Sequence, residues 1–120
     1  MNTKQSGIVH FLIFKDKKDQ LYTGVALELD IVEQGEDPEQ LRQSLVEAAK
    51  GHVETVISKN LGDDLLNRHA PSWYWKRMGK LLAEQAKLVE KRGKARQQHE
   101  PFLEIFTRKI KEGSRDLVPA

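Results

Sequence analysis

Apolar residues crowd residues 8–14, where Ile8, Phe11, Leu12, Ile13 and Phe14 leave little room for a purely polar face. The run breaks at Lys15-Asp16-Lys17-Lys18-Asp19, a cluster no buried strand accommodates, so the pattern predicts a strand followed by a hairpin turn. Residues 21–27 then alternate: Leu21, Thr23, Val25 and Leu27 share one face, and Tyr22, Gly24 and Ala26 the other. That is a second strand. Glu28-Leu29-Asp30 punctuates it, Ile31-Val32 reads as a short third strand, and Gly35 supplies a position able to take positive φ before a helix.

Asp37-Pro38-Glu39-Gln40 has the chemistry of a helix start. Asp accepts backbone N–H groups at the N-cap, proline suits the first helical position, and Gln40 completes a capping box. Leu41, Leu45, Ala48, Ala49, Val53, Val56 and Ile57 recur at spacings of three and four, so a helix over residues 37–61 packs one face on the sheet. Gly51 inside it costs up to about 1 kcal/mol relative to alanine, which a close helix-sheet contact at that point would explain.

The charged turn, the segment Leu21-Tyr22-Thr23-Gly24-Val25-Ala26 and the run Glu33-Gln34-Gly35-Glu36-Asp37-Pro38-Glu39-Gln40-Leu41 together resemble the HicB-like antitoxin family over the first half of the chain. The resemblance implies a compact, partial RNase H-like fold. It also implies a non-catalytic protein that masks a small toxin ribonuclease encoded beside it and often self-associates. Relatives that regulate transcription carry a helix-turn-helix or ribbon-helix-helix module. Neither pattern stands out in residues 62–120, so promoter binding is not carried over.

The second half reads less sharply. Gly62-Asp63-Asp64 resembles a helix exit, residues 65–71 a turn of helix ended by Pro71, and Ser72 an N-cap. From Trp73 to about Lys91, Tyr74, Met78, Leu81, Leu82, Leu88 and Val89 form an apolar stripe, and the spacing predicts a second long helix ending near Gly93. Residues 101–107 alternate well enough for a fourth strand, yet Phe102, Ile105, Phe106 and Lys109 also fit a helical period. The tail from Gly113 is expected to be loosely ordered. The fold expected is α+β: three or four antiparallel strands, one packed helix and a C-terminal long helix. Residues 1–61 form the strand-strand-strand-helix unit, and residues 62–120 a basic helical extension of the same domain.

Charge sharpens this division. Residues 1–61 hold 7 Lys and Arg against 10 Asp and Glu, a balance of −3, and residues 62–120 hold 13 against 8, a balance of +5. A chain polarised in this way attracts acidic partners to one end or pairs head to tail with itself. Between Arg68 and Arg96 nine basic residues face only Glu84 and Glu90. A nucleic-acid interface built from Lys76, Arg77, Lys80, Lys87, Lys91 and Arg92, with an aromatic from Trp73-Tyr74-Trp75 stacking on a base, is one reading. A solvated helix face is the other.

Catalysis finds little support. A two-metal phosphoryl-transfer site needs converging carboxylates, whereas the first strand has none and Asp16, Asp19 and Asp30 fall in turns. Glu104 is the one acid within residues 101–107. His10, His52, His69 and His99 lack metal-ligand spacing, and cysteine is absent, which excludes disulfides and thiolate chemistry. His10 and His52, on the first strand and first helix, are the two histidines with a chance of meeting. No serine has a nucleophile-elbow context and no glycine-rich loop is placed for a phosphate. No cofactor and no enzyme activity are expected. A chain of 120 residues suffices for one domain with a core, and nothing in it resembles a signal peptide or membrane span. The expectation is a cytoplasmic homo-oligomer, a homodimer, that binds a protein partner with Tyr22, Trp73 and Trp75 as anchors.

Overall fold

The computed structural model describes residues 1–15, 20–90, 103–111 and 117–119. Five strands form one antiparallel sheet: β1 (Ser6–Lys15), β2 (Tyr22–Ala26), β3 (Ile31–Gly35), β4 (Leu103–Lys111) and β5 (Leu117–Pro119). Their order across the sheet is β3-β2-β1-β4-β5. Two helices, α1 (Pro38–Ser58) and α2 (Ser72–Glu90), cover opposite faces, and a short 3-10 turn, Asp63–Leu66, lies between them in the chain. Among the described residues no helix is long and apolar enough to cross a membrane.

This layering explains the dense apolar run of β1. Val9, Phe11 and Ile13 point to the α1 side, where Leu45, Ala49, Val53 and Leu66 complete one core cluster. Leu12 and Phe14 point the other way, joining Val25, Leu27 and Met78 under α2. A strand buried on both faces has no polar face to show.

The start of α1 is built as its residues predict: the Asp37 carboxylate accepts from the Glu39 N–H at 2.9 Å and the Gln40 N–H at 3.4 Å, with Pro38 opening the helix. Its end comes earlier than residue 61. Asn60 takes φ 52°, the Asn60 N–H donates to the Ile57 carbonyl and the Leu61 N–H to the Val56 carbonyl, the paired closing bonds of a Schellman motif. Asparagine tolerates the left-handed conformation and so stops the helix before Gly62.

Four further expectations are corrected. The sheet has five strands, not three or four: residues 103–111 pair with the free edge of β1 from Ser6↔Lys111 to Phe14↔Leu103 as the fourth, and Leu117–Pro119 adds a fifth beside it. The strand reading of that segment wins because alternation serves both cores, with Ile105 under α2 and Phe106 and Ile110 under α1. Pro101 and Phe102 lie outside the described residues. Leu117–Pro119, expected in a loose tail, pairs with β4 and buries Leu117. Consequently α2 is not a C-terminal appendage but a packed connection between the 3-10 turn and β4, so the sheet carries two packed helices rather than one.

Glycine expectations shift as well. Gly35 ends β3 without a positive φ. Gly51 is exposed and a Cβ there would meet nothing within 4 Å, so no helix-sheet contact requires it. The close approach is at Gly24, where a Cβ would sit 3.0 Å from Leu45 Cδ2 and 3.4 Å from Leu41 Cγ. Gly51→Ala is therefore expected to stabilise the protein by about 0.5–1 kcal/mol. Gly24→Val should destabilise it by roughly 1–3 kcal/mol through overpacking under α1. Urea unfolding of the two variants checks both signs.

Candidate functional site

The three aromatics that open α2 turn through about 100° per residue, so they meet different surroundings. Tyr74 packs on the cluster around Phe14 and Val25. Trp75 packs on the same cluster, with its ring 6.5 Å from the His10 ring and 5.5 Å from that of His69. Trp73 remains 51 % exposed, stacked on Tyr74 at 4.0 Å and edge-on to Phe14 at 6.4 Å. Tyr22 is half-buried against the α1 cluster beneath the Lys15 ammonium, which stands 5.5 Å from its ring centre. Of the three expected anchors, Trp73 alone is presented to solvent.

Beside Trp73 runs β3, which has no strand on its outer side among the described residues. Its alternation sends Glu33 towards α1, where the Ser44 hydroxyl donates to its carboxylate at 2.7 Å. Val32 and Gln34 face the α2 side, and Val32 is 42 % exposed. Phe14, Thr23, Val32, Gln34, Trp73 and Tyr74 line a shallow groove of about 430 Å³ between the open edge and the start of α2. Gln34 reaches across to Thr23, its Nε2 donating to Oγ1 at 3.3 Å, which holds the groove floor. An unpaired strand edge offers backbone donors and acceptors, and an adjoining aromatic offers area. Together they suit an extended segment of another chain.

The basic candidates separate into three groups. Lys76, Lys80 and Lys87, spaced four and seven apart, are all exposed and lie along one stripe of α2. Arg77 does not join them: its guanidinium sits 4.4 Å over the Phe14 ring, packed on the sheet side. Lys91 and Arg92 lie outside the described residues.

A second feature was not foreseen from the sequence. Glu28, read as strand punctuation, is only 8 % exposed. Its Oε1 accepts the His10 backbone N–H at 2.7 Å and its Oε2 the His10 Nδ1–H at 2.6 Å. Its carbonyl accepts the Arg68 and His69 N–H groups at 2.8 and 3.0 Å, while the Leu27 carbonyl takes that of Ala70 at 2.7 Å. The Glu28 side chain thus serves the β1 backbone next to the β1–β2 ladder and its main chain docks the loop leading to α2. The signal that could have revealed it is the charged residue's place directly after a strongly apolar strand.

The remaining candidates do not converge. His10 lies on the α2 face of β1, whereas His52 belongs to α1 on the other side, where its Nε2 donates to the Leu65 carbonyl at 2.6 Å. The two do not meet. Glu104 pairs with Arg42 Nε at 2.8 Å, Asp30 stands exposed in the β2–β3 turn with φ 57°, and Asp16 and Asp19 lie outside the described residues. Among the described residues no three His, Asp or Glu side chains are placed to hold a metal ion. No family model, no curated protein and no solved structure matches the chain.

Proposed function

We propose that this protein works by binding another protein along the β3 edge, with Trp73 as the anchor, in the non-catalytic masking role that the HicB-like resemblance implies. The observation that carries this reading is the half-exposed Trp73 ring standing beside an open edge strand whose Val32 is also exposed. A segment added antiparallel to β3 gains main-chain hydrogen bonds, and its alternate side chains fall over the groove between Val32 and Trp73. A second copy of the chain can use the same edge, which makes homodimerisation and partner capture competing uses of one surface. The partner expected from the resemblance is a small toxin encoded beside this protein.

Co-expression with the products of the adjacent reading frames tests the reading. A stable complex should form, and Trp73→Ala and Val32→Lys should each weaken it by about tenfold or more, since buried aromatic anchors dominate such interfaces and a lysine on the edge opposes strand pairing. A complex indifferent to both substitutions contradicts the site.

The stripe of Lys76, Lys80 and Lys87 favours a second reading, in which α2 binds nucleic acid. It makes a different prediction. Affinity would fall log-linearly with salt, and Glu at all three positions would abolish binding. Arg77 is left out of that variant because its contact with Phe14 would confound folding with binding.

A further inference from the structure

The geometry points to a phosphate-binding site, separate from the β3 edge, in the cleft where β1 meets β4, with the Lys109 ammonium and the His10 ring as its ligands and His69 at the rim. The cleft has a volume of about 770 Å³, and Asn2, Ile8, His10, Glu28, His69 and Lys109 are among the residues that line it. Glu28 is its one carboxylate against three basic side chains.

That carboxylate is already engaged. Both of its oxygens are taken by His10, one by the backbone N–H and one by the ring Nδ1–H. The pair fixes the ring's orientation, leaving Nε2 as the ring position without a partner among the described residues. Lys109 comes from β4 on the same face. It stands opposite Ile8 in the register, two residue pairs along from His10↔Thr107, and so is a diagonal neighbour of His10 roughly 7–8 Å away between Cα atoms. Lys109 is exposed and makes no ion pair among the described residues.

The third wall is held in place before any ligand arrives. His69 adopts φ 60°, a conformation unfavourable for a non-glycine residue. It is kept there by its N–H bond to the Glu28 carbonyl and by the Trp75 ring. Beside it, Asn67 and buried Asn2 bond reciprocally: the Asn2 N–H donates to Asn67 Oδ1 at 2.8 Å and Asn67 Nδ2 to the Asn2 carbonyl at 2.8 Å. Gly7 is required for this arrangement, since a Cβ there would fall 2.2 Å from Asn2 Oδ1. Donors approaching from two strands and a loop match a tetrahedral oxyanion better than a planar carboxylate, and preorganisation spares the ordering cost of binding.

The test is titration of the full chain with inorganic phosphate at constant ionic strength, followed by long-range ¹H–¹⁵N correlation of the histidine rings. Saturable shifts are expected at His10, His69 and the Trp75 indole N–H, with His52 unmoved. Lys109→Met, at an exposed position that leaves the cores intact, should weaken binding by about tenfold, the worth of one charge-assisted hydrogen bond. Adenosine 5′-monophosphate distinguishes the two sources of this chemistry: tighter binding than inorganic phosphate indicates a phosphate ester, and weaker binding a free anion. Non-saturating shifts, equal shifts with chloride or acetate, or unchanged affinity in Lys109→Met would overturn the site.

Discussion

Replacing Phe11 by alanine is expected to cost about 3–5 kcal/mol of folding stability, the largest loss for any single truncation in this protein. Phe11 is fully buried at the centre of β1, the strand that pairs with both β2 and β4. Its ring lies nearly parallel to that of Phe106, at 4.8 Å and 4°. Phe106 in turn carries the guanidinium of Arg42 from α1 at 4.7 Å and that of Arg108 at 4.9 Å. Truncation therefore opens a cavity under α1 and removes the surface against which β4 is stacked. With total stabilities commonly about 5–15 kcal/mol, such a loss takes a large fraction of the whole. Guanidinium unfolding measures it. A change under about 1 kcal/mol would mean that the α1 side is not the principal core.

Glu28→Ala is expected to cost about 2–3 kcal/mol, although the residue lies in a turn. Removing the carboxylate leaves the His10 N–H without its acceptor and the His10 ring without its partner. The His10 side chain is 38 % exposed, so water recovers part of the loss and the full cost of a broken buried pair does not apply. Glu28→Gln keeps an amide oxygen for the backbone N–H and gives up only the charge, so its cost should be roughly 1 kcal/mol. Equal costs for the two substitutions would show that the contact with the His10 ring, not the backbone bond, dominates. Loss of the carboxylate acceptor in Glu28→Ala should also appear as faster amide exchange at His10.

Local chemistry made α1 readable. Its cap, its proline and five buried positions, Leu41, Leu45, Ala49, Val53 and Val56, all lie within one stretch of sequence. The first two strands were readable for the same reason, since their patterns and the charged turn between them need no distant information. β4 was not. Its residues satisfy a period of two and a period of 3.6 together, and the choice depends on the vacant edge of β1 some ninety positions earlier in the chain. β5, at three residues, is too short for any period to register, and its strand character comes from pairing with β4.

The candidate site divides along similar lines. That an aromatic at the start of α2 would be presented to solvent was legible. Which one was not, because successive residues differ by a third of a turn and only the docked position of the helix selects Trp73 over Trp75. Arg77 joined the lysine stripe by composition, but its guanidinium lies over the face of Phe14 instead. Glu28 carried no visible mark of its role, since it is buried by a loop that returns forty residues later. Gly51 misled in the opposite sense: a glycine in a buried-face helix suggests a contact, yet it lies on the solvent side, and the glycine that packing requires is Gly24 on the strand beneath.

The most direct measurement of the proposed binding mode is amide hydrogen exchange of this protein alone and in complex with its co-expressed partner. The account predicts that the β3 amides slow markedly in the complex, by about tenfold or more, while the exposed Lys76, Lys80 and Lys87 face of α2 is unchanged. Protection confined to α2, with β3 exchanging as in the free protein, would contradict it.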